Sequence, residues 1–233
     1  MNRRTFAWRY GLASILAMLL AACAAPTKTE VSFEAGKPPP LAAGGGVVLF
    51  SEYREQMSPD EADFVRCLRK AFSGRMPGQF RLVDTVVFQN ALFPWFEPET
   101  APRTVEQLNA LLARPLARQR IASMGVRYLL VIASAESADG FPGIICGAGY
   151  GGAGCLGVYW EEKVQRARAV IWDVERGMES GAMAATSSGK SVGFALGIPV
   201  LFIAKTRENA CRALADELAR LLSDAAGLPA DKP

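Results

Sequence analysis

Histidine is absent from all 233 residues. No Ser-His-Asp or Cys-His catalytic arrangement can therefore be built, nor any zinc site that depends on imidazole. A long apolar run is also missing. The N-terminal stretch Leu12 to Leu20 falls short of the roughly 20 residues that a membrane-crossing helix needs. No acid precedes residue 23, whereas Arg3, Arg4 and Arg9 do, and these three account for the whole formal charge of +3. The remaining chain is balanced and gives no electrostatic reason to expect a nucleic-acid partner. Half the residues are apolar, enough for a real core.

A basic start, an apolar run and small residues at Ala21 and Ala22 read as a secretory signal peptide over 1–22. Leu20-Ala21-Ala22-Cys23 resembles the lipobox of bacterial lipoproteins, where the cysteine thiol receives a diacylglycerol before cleavage. That resemblance implies a membrane partner held through lipid on Cys23. Ala24 is not the aspartate that resembles an inner-membrane retention signal, so the expected place is the periplasmic face of the outer membrane. The alternative is an ordinary signal peptide with a chance cysteine. Asn2-Arg3-Arg4-Thr5-Phe6 also resembles a twin-arginine signal, and the general secretory route is preferred.

Residues 23–46 contain Pro38-Pro39-Pro40 and Gly44-Gly45-Gly46 and read as a tether, with a single domain over 47–224 and a disordered tail over 225–233. Val47 to Phe50 predicts a buried strand. Ser58-Pro59-Asp60-Glu61 opens a helix whose Phe64, Cys67, Leu68, Ala71 and Phe72 form one apolar stripe. Phe80 to Gln89 reads as a second strand, and Trp95 and Phe96 follow in a proline-bearing loop. That loop either lays its aromatics over the core or binds a partner. Thr104 and Gln107 form a capping box, Pro115 breaks the helix, and Gly125 stops it. Arg127 to Ser134 is a central strand.

Residues 139–157 form a glycine-rich insert, expected as a flexible loop. Its Gly147, Gly149 and Gly152 match GxGxxG, but a strand signal and not a helix follows, so no dinucleotide cofactor is expected. Ser188-Gly189-Lys190-Ser191 fails as a phosphate loop because position 184 is alanine. No cofactor and no metal is expected. Val164 to Val174 and Met178 to Ser188 form a hairpin about Glu175-Arg176-Gly177. Ser191 to Ala204 reads as a strand plus a core-covering loop, with a membrane or partner contact as the alternative. The last helix, Thr206 to Leu222, carries Cys211, Leu214, Leu218 and Leu222 on one face.

With Cys23 taken by lipid, four cysteines remain and allow three pairings. Their spacing is too wide for a four-thiolate metal site. Cys67 and Cys211 both lie on buried stripes, which favours a 67–211 bridge and leaves 146–155.

The order of elements gives a mixed α/β (α+β) fold: about five strands, helices packed on them, and a closing C-terminal helix. The run AVIWDVERGMESG, with Asp173 and Gly177, and the helix ENACRALADELARLL resemble the C-terminal half of curli-secretion-channel and penicillin-binding-protein-activator lipoproteins. Their domain is similar to the TolB N-terminal domain. The resemblance implies fold and envelope location.

The function expected is a non-catalytic binding or assembly module whose partner is another envelope protein or further copies of itself. Trp95, Phe96, Tyr150 and the 191–203 stretch are the candidate contacts. One alternative is a cell-wall enzyme using carboxylates such as Glu161 or Glu162 beside Tyr159 and Trp160, or a serine–lysine pair of Ser188 or Ser191 with Lys190. The other is a glycan or small-ligand binder using Tyr150, Tyr159 and Trp160.

Overall fold

The computed structural model describes residues 25–34, 41–51, 59–76, 78–97, 100, 102, 105–149, 152–196 and 198–227. The strands are β1 (Thr27–Phe33), β2 (Gly45–Ser51), β3 (Phe80–Val83), β4 (Val126–Gly149), β5 (Gly152–Asp173), β6 (Met178–Leu196) and β7 (Ile198–Phe202). The helices are α1 (Pro59–Ser73), α2 (Thr85–Ala91), α3 (Val105–Leu112), α4 (Pro115–Ser123) and α5 (Thr206–Ala225). All seven strands join one mixed sheet in the order β1-β6-β5-β4-β2-β3, with β7 also on β6. The chain clusters into two compact units where the sequence suggests one domain. The larger falls within 29–136, 165–187 and 207–233, the smaller within 1–28, 137–164 and 188–206.

In the larger unit β2 runs parallel to both β3 and β4, with Val48 opposite Val83 on one side and Leu129 on the other. Parallel neighbours need long crossovers, which α1 and then α2 to α4 supply. Successive strand residues face opposite sides, and here both sides are covered. Val47, Leu49, Tyr128, Leu130 and Ile132 pack with Phe64, Leu68 and Phe72 of α1 and with Leu214 and Leu218 of α5. Val48, Phe50, Leu129 and Val131 pack with Phe88, Leu108, Leu112 and Ile121 of α2, α3 and α4. Burial on both faces explains why these strands are continuous apolar runs.

Cys67 of α1 and Cys211 of α5 are joined in a disulfide, their Cα atoms 6.2 Å apart. It is the pairing that the two apolar stripes predict. The side chains of Cys146 and Cys155 lie outside the described residues.

Several sequence expectations are corrected. Phe80 to Gln89 is not one strand. It stops at Val83 because the Asp84 carboxylate accepts from the Val86 and Val87 amides, at 2.8 and 3.2 Å, and caps α2. Residues 27–33 of the expected tether are β1, next to β6 in the sheet, where the Thr29 and Ser187 hydroxyls lie 2.9 Å apart. The glycine-rich insert is strand on both arms, β4 to Gly149 and β5 from Gly152. Instead of ending in a covering loop, 191–204 continues as β6 and turns back as β7, with Val192 opposite Phe202.

Acid should loosen the larger unit through two carboxylates. The Arg168 guanidinium forks onto Glu34, one arm at 2.8 Å, and holds its carboxyl below the usual value. The Val87 and Val86 amides do the same for Asp84. A depressed carboxyl contributes stability that is fully present above its unfolded value and lost as pH falls through the folded one. Urea midpoints should therefore fall below about pH 4, and less steeply in a Glu34→Gln chain. Parallel curves for the two chains would exclude the Glu34 contribution.

Candidate functional site

In the smaller unit, β4 and β5 approach closely at Gly140, where a Cβ would come within 2.5 Å of the Trp160 carbonyl oxygen and 2.9 Å of Glu161 Cα. Glycine is needed there because the neighbouring backbone leaves no room for a side chain. Side chains along β5 then alternate. Tyr159, Glu161 and Lys163 share one face, with Glu161 and Lys163 paired at 3.2 Å. The Glu161 carboxylate beside Tyr159 pushes the phenol above its ordinary value, with some help from burial. Trp160 and Glu162 take the opposite face, where Glu162 meets Lys190 of β6 at 3.8 Å.

This alternation separates residues that are neighbours in the sequence. Glu161 and Glu162 point to opposite faces, so at most one of them can serve a given carboxylate site. Tyr159 and Trp160 likewise cannot line a single concave site, and Tyr150 lies outside the described residues. Ser191 is buried, and its Oγ accepts the Ala204 amide at 3.0 Å, while Lys190 is on the other face of β6. The Ser191–Lys190 pair is therefore not formed. Ser188 shares the Lys190 face, and that ammonium is already paired with Glu162.

The expected aromatic pair also separates. Phe96 is 8% exposed and sits edge-on to Phe50 and Phe88, at 5.3 and 5.5 Å between ring centroids. It is a core residue and not a contact surface. Trp95 remains partly exposed, with the Arg120 guanidinium 5.5 Å from its ring centroid.

The feature that stands out in the smaller unit is an open sheet edge. β2 accompanies β4 only as far as Ile132, opposite Ser51. Beyond it β4 runs on to Gly149 with β5 on one side and, among the described residues, no strand on the other. Residues 140–149 of this edge and 152–160 of β5 carry no charge. Phe141 on the edge strand is 68% exposed and Trp160 39%.

Other polar groupings lie in the larger unit. Arg207 of α5 binds Asp60 and reaches Asp63 at 3.6 Å and Glu136 at 3.0 Å. Burial alone would lower its guanidinium, but Glu136 and Asp60 carry it above its ordinary value. Three distant segments meet here, so no local sequence pattern announces the cluster. An open cavity of about 400 Å³ near Gly44 and Gly45 is walled by Arg127 and Glu175, paired at 2.6 Å. No group of side chains suited to a metal ion occurs among the described residues, and no helix among them is long and apolar enough to cross a membrane.

These elements define an α/β protein with helices on both faces of a mixed sheet. No known family matches the chain, and no curated protein does. Two solved structures of PelC from Paraburkholderia phytofirmans, both described as dodecamers, are similar at 15% and 13% identity, with TM-scores of 0.40 and 0.38. The matches cover 84% and 88% of this chain and 99% of each PelC chain. The hypothetical protein CT253 from Chlamydia trachomatis is similar at 9% identity and a TM-score of 0.30, over 79% of this chain and 95% of that one.

Proposed function

We propose that this protein is a lipid-anchored module of the bacterial outer membrane, facing the periplasm, that binds another envelope protein or copies of itself and carries out no chemistry. The observation that carries the reading is the open edge of β4. A strand paired on one side only, as β4 is beyond Ile132 among the described residues, presents a row of backbone donors and acceptors that a further strand can satisfy. Uncharged sequence and an exposed Phe141 make this edge favourable to cover. Cys23 supplies the anchor, on the strength of its lipobox context. The TolB-like resemblance fits a module of this kind.

The test is chemical crosslinking in intact envelopes, comparing the wild type with Phe141→Asp. Charge on an edge strand opposes pairing, so the crosslinked species should fall about tenfold at equal protein level. An unchanged crosslink pattern would refute the edge as the contact, and an uncrosslinked wild type would refute the module itself.

A second reading is favoured by the uncharged arms 140–149 and 152–160, because a strand needs about 9–11 residues to cross the hydrocarbon. In that case the hairpin enters the bilayer with strands of other copies. Protection of the hairpin from added protease only when vesicles are present would select this reading.

A further inference from the structure

We infer that the flank of the smaller unit around Gly189 and Ala204 lies directly on the headgroup layer of a phospholipid bilayer. Three segments meet there. A Cβ on Gly189 would come within 2.8 Å of Thr27 Cγ2 and Ala204 Cβ, and within 3.2 Å of the Pro26 carbonyl oxygen. Pro26 is thus seated on β6. Ala204 is buried in turn, its amide donating to Ser191 Oγ at 3.0 Å. All of these residues belong to the smaller unit.

The inference rests on the anchored reading above and deepens it by naming the surface that meets the membrane. Cys23 stands three positions before Pro26. Three residues reach at most about 11 Å when fully extended. A diacylglycerol on Cys23 therefore holds the bilayer surface within that distance of Pro26. The rest of the stretch that reads as a tether lies beyond this point and adds no reach, because residues 27–33 are β1.

A gap of about 11 Å is no wider than one helix with its side chains, about 10–12 Å. A protein partner does not fit between this flank and the membrane, so the occupant is lipid. Ile203 adjoins Ala204 and is 61% exposed, and so offers an aliphatic side chain to the boundary between headgroup and acyl chain. The placement follows from the short span and not from charge, since Lys190 beside Gly189 is paired with Glu162 at 3.8 Å.

The test uses the full chain in its own envelope with p-benzoylphenylalanine in place of Ile203. After irradiation, adducts at that position are identified by mass. The position is exposed, and an unchanged urea midpoint verifies that the variant folds. Phospholipid adducts should dominate. Inserting about twelve Gly and Ser residues after Ala24 lengthens the span by about 20 Å and should lower the lipid adduct about fivefold at equal protein level. An adduct with protein in place of lipid would overturn the inference and assign the flank to a partner or a second copy. A lipid adduct that ignores the insert would overturn it too, because the short span would then not set the placement. Intact mass of the same preparation reads Cys23. An acylated chain without lipid adducts at 203 refutes this inference alone, whereas an unmodified Cys23 refutes the anchor and this placement together.

Discussion

A chain carrying Cys67→Ala and Cys211→Ala is expected to lose about 2–5 kcal/mol of unfolding free energy. The bond spans 144 positions and ties α1 to α5 on the same side of the sheet. Without it, the unfolded chain recovers the freedom of a very long loop, and the two helices are held together by packing alone. Cys211 is fully buried, so its replacement by alanine adds a small loss of contact. Urea denaturation is the measurement, run with and without reductant. The wild type in reductant should move toward the midpoint of the double variant, which reductant should not shift. Equal midpoints for oxidised wild type and variant would show that the cross-link contributes nothing.

The second large effect is expected at Phe64. Its ring is fully buried between α1 and the sheet, in the cluster holding Leu49, Leu130 and Leu214. Phe64→Ala should cost about 3–5 kcal/mol, the sum of lost transfer free energy and a cavity the neighbours cannot fill. Val86→Ala provides the contrast. On a buried strand that residue would be a costly loss, but on the outer side of α2 it is 61% exposed and its removal should shift stability by less than about 0.5 kcal/mol. Comparable losses at both positions would contradict the helix assignment of 85–91.

That contrast shows where the sequence was readable. The stripes of α1 and α5 could be read directly, because an amphipathic helix against a sheet writes its burial into a 3.6-residue period. The bridge between their cysteines followed from the same pattern. Asp84 was harder: Val, Phe and Thr favour strand in isolation, and a single carboxylate capping two amides overrode that preference. The glycine-rich arms of β4 and β5 were hidden for the opposite reason. Glycine signals a turn locally, yet it also serves where two backbones must lie close, as at Gly140. Of the candidate site, Trp95 is half-buried against the core edge, while Phe96 was claimed by the ring cluster of Phe50 and Phe88. The Arg207 cluster and the open edge of β4 come only from tertiary assembly, and no short stretch of sequence encodes either.

The position of the cross-link also sets an order of events during synthesis. The partner of Cys67 is not made until the chain has grown by 144 further positions. Until then the thiol of Cys67 has no correct mate and must be kept from Cys146 and Cys155, which emerge earlier. An oxidase that acted on cysteines in order of appearance would join Cys67 to Cys146, so the 67–211 bond is not the one that sequential pairing would form.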